Sequence, residues 1–257
     1  MKSVMKLALI SLGLSAICLS NSASAQATGN ASISNFSYRL VDLNTRDGVT
    51  PSISFSNTQA SVSTEYSDLW GDRYQSSRNG NDLSAIQTSQ SAGGVYVFSE
   101  LESNRFASSA QFDQLGRFDS SARFNRDFIL SANTALIFSG TAALGANFNV
   151  PSELWGNSIY AVTNVRITDI GANGSPAGHG AVFERGITAH SLNDSAALNT
   201  NFTLAFVNRG ANQLHGNVSA FAVVNGAIVA VPEPETYGMM LLGLGVLGML
   251  ARRRAKL

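Results

Sequence analysis

The chain has 257 residues, with 17 basic and 17 acidic side chains. Between two compositionally distinct ends, residues 26–231 hold 11 Arg, no Lys and 15 Asp plus Glu, a net formal charge of −4. A mildly acidic body excludes an electrostatic footprint for nucleic acid. The one cysteine, Cys18, precedes the body, which excludes disulfides, thiolate metal sites, Cys nucleophiles and, for want of lysine, Schiff-base chemistry.

The N-terminus reads as an export leader spanning 1–25. Lys2 and Lys6 form a positive region ahead of the 13-residue apolar run Leu7–Leu19, which is too short to span a bilayer comfortably. Ala23 and Ala25 then occupy the small-residue positions that signal peptidase accepts, predicting cleavage after Ala25. Ile17, directly before Cys18, is too bulky for a lipoprotein processing site.

The body, 26–231, reads as all-β, because period-two alternation dominates and no long amphipathic helix stands out. Strands are expected at Ile33–Leu43, Ser52–Ser56, Val95–Leu101, Ala135–Ala142, Ile159–Thr168, Ala181–Thr188 and Phe202–Val207. Turns are expected at Asp47-Gly48, Asn79–Asp82, Gly93-Gly94, Gly171–Gly178 and Asn208–Asn212. A final hairpin is expected over Val218–Val231, with Asn225-Gly226 as its type I′ turn. Short strands at this spacing predict an antiparallel β-sandwich or jelly roll.

An internal duplication falls in the middle of the body. Arg105–Phe112 reads RFASSAQF and Arg117–Phe124 reads RFDSSARF, 12 residues later. Phe106, Phe112, Phe118, Phe124 and Phe128 share parity, so on strands they face one side, with Arg105, Arg117 and Arg123 on the other. The pair is expected to form a hairpin joined at Leu115-Gly116.

The candidate binding segment is Tyr66-Ser67-Asp68-Leu69-Trp70-Gly71-Asp72-Arg73-Tyr74. In an extended chain Tyr66, Asp68, Trp70, Asp72 and Tyr74 point the same way, building a glycan platform of flat rings and interleaved carboxylates. The plainer alternative, preferred at this level, buries Trp70 in the core and breaks the parity with a turn at Gly71-Asp72. Asp42–Gly48 clusters oxygen donors before a glycine but departs from a calcium loop at Arg46, so a plain turn is expected there. His179, His190 and His215 lack paired metal spacing, and no G-x-S-x-G nucleophile elbow occurs. The acids are numerous enough for a hydrolytic pair, but nothing in the sequence singles out two.

The tail, 232–257, has three parts in fixed order. Pro232-Glu233-Pro234 opens a stiff acidic linker, Tyr237–Ala251 is a charge-free run of 15 residues, and Arg252-Arg253-Arg254 follows. As a helix the run is about 22 Å long, short for a membrane core of about 30 Å but within reach of snorkelling arginines and local thinning. It is apolar all round, which predicts a transmembrane helix at 237–251 with the arginines kept in the cytoplasm. The stretch VPEPETYGMMLLGLGVLGMLARRR, residues 231–254, closely resembles the PEP-CTERM sorting domain of Gram-negative bacteria. That resemblance implies that an exosortase, a membrane transpeptidase, recognises the chain and cuts near the Pro-Glu-Pro triplet. It also implies delivery to the cell surface or matrix, often in strains making exopolysaccharide.

The sequence thus predicts an exported, surface-sorted, non-catalytic envelope or matrix protein with no cofactor. A carbohydrate-binding module and a secreted glycan hydrolase are the alternatives. The first requires Trp70 exposed beside Tyr66 or Tyr74, and the second a cleft holding two acids.

Overall fold

The computed structural model describes residues 26–68, 70–149, 157–170, 176–190 and 192–229, together with Leu244. The leader through Ala25, the sorting triplet, Arg252–Arg254 and, Leu244 aside, the 237–251 run lie outside the described residues. Among the described residues, no helix is long and apolar enough to cross a membrane.

Two antiparallel six-stranded sheets face each other. The first runs, edge to edge, β11 (Asp194–Asn208), β8 (Thr134–Asn149), β1 (Gln26–Asp42), β6 (Arg105–Phe112), β5 (Val95–Glu102) and β4 (Ile86–Ala92). The second runs β10 (Pro176–Ala189), β9 (Ser158–Ile170), β12 (Leu214–Ile228), β7 (Gly116–Leu130), β2 (Ile53–Asp68) and β3 (Arg73–Gly80). The expected all-β sandwich is therefore present, with strands longer than the apolar runs that announced them. The expected Phe202–Val207, for instance, is the inner part of β11, whose first half alternates half-buried with exposed residues.

Alternation works as the period-two argument requires. In β12, Val218, Ala220, Ala222, Val224 and Ile228 are buried, while the intervening residues face outward or are partly covered, Val223 excepted, which is buried as well. The core is dominated by phenylalanines from both sheets. Phe106, Phe112, Phe128 and Phe148 are fully buried. Phe36 stacks on Phe138 at 5.2 Å, and Phe128 meets Phe206 edge-on at 5.6 Å. At one lateral side, Phe183 of β10 stacks on Phe202 of β11 at 4.5 Å. At the other, Thr88 of β4 donates to Ser76 of β3 at 2.6 Å.

The duplicated octapeptides do not form a hairpin. β6 belongs to the first sheet and β7 to the second, so Asp113–Leu115 crosses between sheets. The shared parity holds, because all five phenylalanines are buried and Arg105, Arg117 and Arg123 are exposed. The repeats face each other through the core, with Phe106 on Phe124 at 5.7 Å and Phe112 on Phe118 at 5.1 Å. Their equivalent serines, Ser108 and Ser120, are also buried. Ser108 donates to the Ala222 carbonyl at 2.9 Å and Ser120 to the Phe98 carbonyl at 2.6 Å, each across to the opposite sheet. Such short side chains reach that far only where the sheets approach closely, which the neighbouring Ala110, Ala122 and Ala222 permit.

The Asn225-Gly226 hairpin is also absent. Both residues lie inside β12, with Asn225 paired to Asp119 and Tyr160 and Gly226 to Phe118 and Ile159. Gly226 is needed for space and not for a turn. A Cβ there would sit 2.7 Å from Cζ of Phe118 and 2.7 Å from the Ser158 carbonyl oxygen.

Candidate functional site

Strand registers gather three tips at one end of the sandwich. Asp68, the last residue of β2, pairs with Gly116 of β7, which pairs with Ile228 of β12. Val95 of β5 pairs with Phe112 of β6, which pairs with Ala27 of β1. The β2–β3 turn, the β4–β5 turn and the β6–β7 crossover therefore meet, and Gln26 and Val229 lie at the same end. Between the tips runs an open groove of about 540 Å³.

The β2–β3 turn supplies the rings. Tyr66 and Tyr74 are directly opposite in register and stack at 5.8 Å with 8° between their planes. Tyr66 is buried and also meets Phe112 edge-on at 5.5 Å, whereas Tyr74 is 43% exposed. Trp70, at the tip, is 91% exposed. Asp68 builds the turn: its Oδ1 accepts the N–H groups of Trp70 and Asp72, both at 2.9 Å, and its own N–H donates to the Asp72 carbonyl at 3.0 Å. Gly71, at φ +90°, takes the left-handed conformation that closes the tip. Asp72 is exposed and does not line the groove.

The other walls come from Gly93 and Ala92 of the β4–β5 turn and from Gln114 and Leu115 of the crossover. Gly93 and Gly94, at φ +54° and +92°, form the turn expected there, with the two positive φ angles of type I′. Asp113 packs its carboxylate against Gly94, leaving no room for a Cβ. Gln114 donates to the Ala92 carbonyl at 3.3 Å. Burial pushes the Tyr66 hydroxyl above its ordinary pKa, with Asp68 and Tyr74 adding to the rise and Gln114 opposing it, so this hydroxyl stays a neutral donor.

Of the predicted platform, Tyr66, Asp68, Trp70 and Tyr74 line one groove and Asp72 does not. The expected turn at Gly71-Asp72 is there, but the expected burial of Trp70 is overturned. Its turn projects beyond the last paired residues, Ser67 and Arg73, so no facing sheet covers it. The sequence reading missed Gln114 and Leu115. It identified the Gly93-Gly94 turn but had no signal placing that turn beside Trp70.

The remaining candidates stay apart. Asp42 and Asp47 accept the backbone N–H groups of Asn44 and Val49, each at 2.8 Å, as in ordinary Asx turns. His179 lies in β10. Its side chain is exposed, with Nδ1 3.2 Å from Asp169 Oδ2. His190 Nδ1 lies 3.7 Å from Asp194. Among the described residues, no group of three or more His, Cys, Asp or Glu could hold a metal ion. Two acids on neighbouring strands, Glu65 and Asp119, are paired in register on the outer face of the second sheet and away from the groove lining.

Comparison with known proteins locates one match in the tail. The model of the PEP-CTERM protein-sorting motif matches residues 230–254. The chain therefore carries this sorting signal, which marks an exported protein processed by an exosortase and targeted to the cell surface. No curated protein matches. Among solved structures, the enzymatically active domain of bacteriophage CBA120 tailspike protein 4 aligns at 17% identity over 40% of this chain and 16% of its own, with a TM-score of 0.11. The infectious bursal disease virus Gx strain structure aligns at 11% identity over 82% of this chain and 64% of its own, with a TM-score of 0.12. The chain thus spans less than two thirds of either structure's length. At these scores neither likeness bears on fold or function.

Proposed function

We propose that this PEP-CTERM-tailed chain is a non-catalytic protein of the envelope or exopolysaccharide matrix, and that its end groove is where it holds polysaccharide. Signal peptidase removes 1–25, the 237–251 helix holds the precursor in the inner membrane with its body in the periplasm, and exosortase cuts near Pro232–Pro234. The body then reaches the surface. The observation that carries the glycan reading is Trp70, 91% exposed beside Tyr74 on the rim of a groove with polar groups in its walls. A large ring held in water is a ready stacking face for a pyranose, and the groove's Asp68, Tyr66 and Gln114 offer hydrogen bonds to its hydroxyls. Among the described residues, Asp68 is the one carboxylate lining the groove, whereas glycoside hydrolysis normally uses two. This supports binding over hydrolysis.

The test is retention of the protein, recovered from its native host, on that host's exopolysaccharide in affinity electrophoresis. Trp70→Ala should weaken retention at least about tenfold, near 1.4 kcal/mol, with an unchanged melting temperature, because an exposed ring contributes little to stability. Equal retention of the variant, or none by the wild type, contradicts the reading.

A further inference from the structure

We infer that the groove selects glycans bearing free amino groups, of the N-deacetylated hexosamine class, over glycans built from uronic acids; this rests on the reading of the groove as a glycan site. Among the described residues, no Arg, Lys or His lines the groove. The nearest guanidinium along the chain, Arg73, is taken by Glu65 at 2.6 Å on the outer face of the sheet. A carboxylate, in contrast, does line the groove. Asp68 lines the groove and spends Oδ1 on two backbone N–H groups, leaving Oδ2 without a protein partner among the described residues. Asp113 sits against the Gly93-Gly94 turn that forms the facing wall.

An ammonium group suits this setting twice. It can donate to the open Oδ2 of Asp68, and it is attracted to the faces of Trp70 and Tyr74 by their ring quadrupoles. A uronate carboxylate would meet Asp68 with no cation to offset the repulsion, which is how like charge enforces choice between partners. The Tyr66 hydroxyl and the Gln114 amide would serve the sugar's hydroxyls in either case.

Calorimetric titration of the protein recovered from its host separates the outcomes, using hexamers of glucosamine, N-acetylglucosamine and guluronate at matched ionic strength. The glucosamine hexamer should bind at least about tenfold more tightly than the N-acetylated one, and the guluronate hexamer should not bind. Asp68→Asn should shrink the preference to about twofold. Its side-chain carbonyl can still accept the two turn N–H groups, and an unchanged near-ultraviolet circular dichroism spectrum checks that the turn survives. Equal affinities for the two hexosamine hexamers, or tighter binding of guluronate, overturn the inference while leaving the glycan site standing if Trp70→Ala abolishes that binding. Binding of none of the hexamers overturns the inference, while the glycan reading stands or falls on retention by the host's exopolysaccharide. Binding to phosphatidylethanolamine vesicles in place of the hexamers overturns it too, by assigning the groove to a lipid headgroup.

Discussion

Gly226 and Asp119 show how much one position can depend on what lies across the sheet. A methyl group at Gly226 would press on the Phe118 ring and the Ser158 carbonyl, and backbone cannot give way as a flexible side chain can. Gly226→Ala should therefore cost about 1–3 kcal/mol, the usual range for overpacking, read as a lower urea midpoint with unchanged slope. Asp119 is a half-buried carboxyl whose pKa is raised by desolvation, with Glu65 adding to the rise and Arg123 opposing it. A folded-state pKa above the unfolded value means that its stabilising contribution is complete below the unfolded pKa and is lost as pH rises through the folded one. Asp119→Asn should then raise the urea midpoint at pH 7, and the advantage should vanish at pH 3. An advantage that persists at pH 3 would put the cause elsewhere. Neither environment is visible in the chain itself: Asn-Gly is a strong local turn signal, and only the two strands flanking β12 reveal that the glycine makes room for a ring.

At the scale of elements, periodicity told which face a residue takes and not which strand it joins. The shared parity of Phe106, Phe112, Phe118 and Phe124 placed all four inside, yet the octapeptides pair across the core because Asp113–Leu115 changes sheet. The stacked pair makes a direct check possible. Phe106→Ala and Phe124→Ala should each cost about 3–5 kcal/mol, and their double-mutant cycle should show a coupling of about 0.5–1.5 kcal/mol. Additive losses would mean the two repeats do not touch in solution. β3 and β4 were missed for a related reason. They are edge strands, and RYQSSRNG and IQTSQSA carry too few apolar residues to announce a buried face. The candidate groove was half visible. The Tyr66–Tyr74 stretch stands out in sequence, whereas the convergence of three tips follows from registers that no local pattern encodes.

On the scale of the whole molecule, the two ends of the chain and the body answer to different physics. Every described strand lies between Gln26 and Ile228 and pairs with its neighbours there, so the sandwich should owe nothing to the tail. Removing 230–257 should leave the thermal midpoint of the body within about 1 °C, since every strand pairing among the described residues is kept. Val229, held through its N–H by Asn157 Oδ1 at 2.6 Å, is where the body hands over to the sorting signal, at the same end as the groove. The seven residues 230–236 span at most about 25 Å when extended. An anchored precursor would therefore hold its groove near the membrane, and release would free it.

The most direct test of surface sorting is the intact mass of the protein taken from the outside of its native host. The account predicts a chain that begins at Gln26 and has lost the apolar run and arginines beyond the Pro232–Pro234 region, whatever mass a modification adds. A surface-exposed chain that keeps Arg252–Arg254, or one that still carries its first 25 residues, would contradict it.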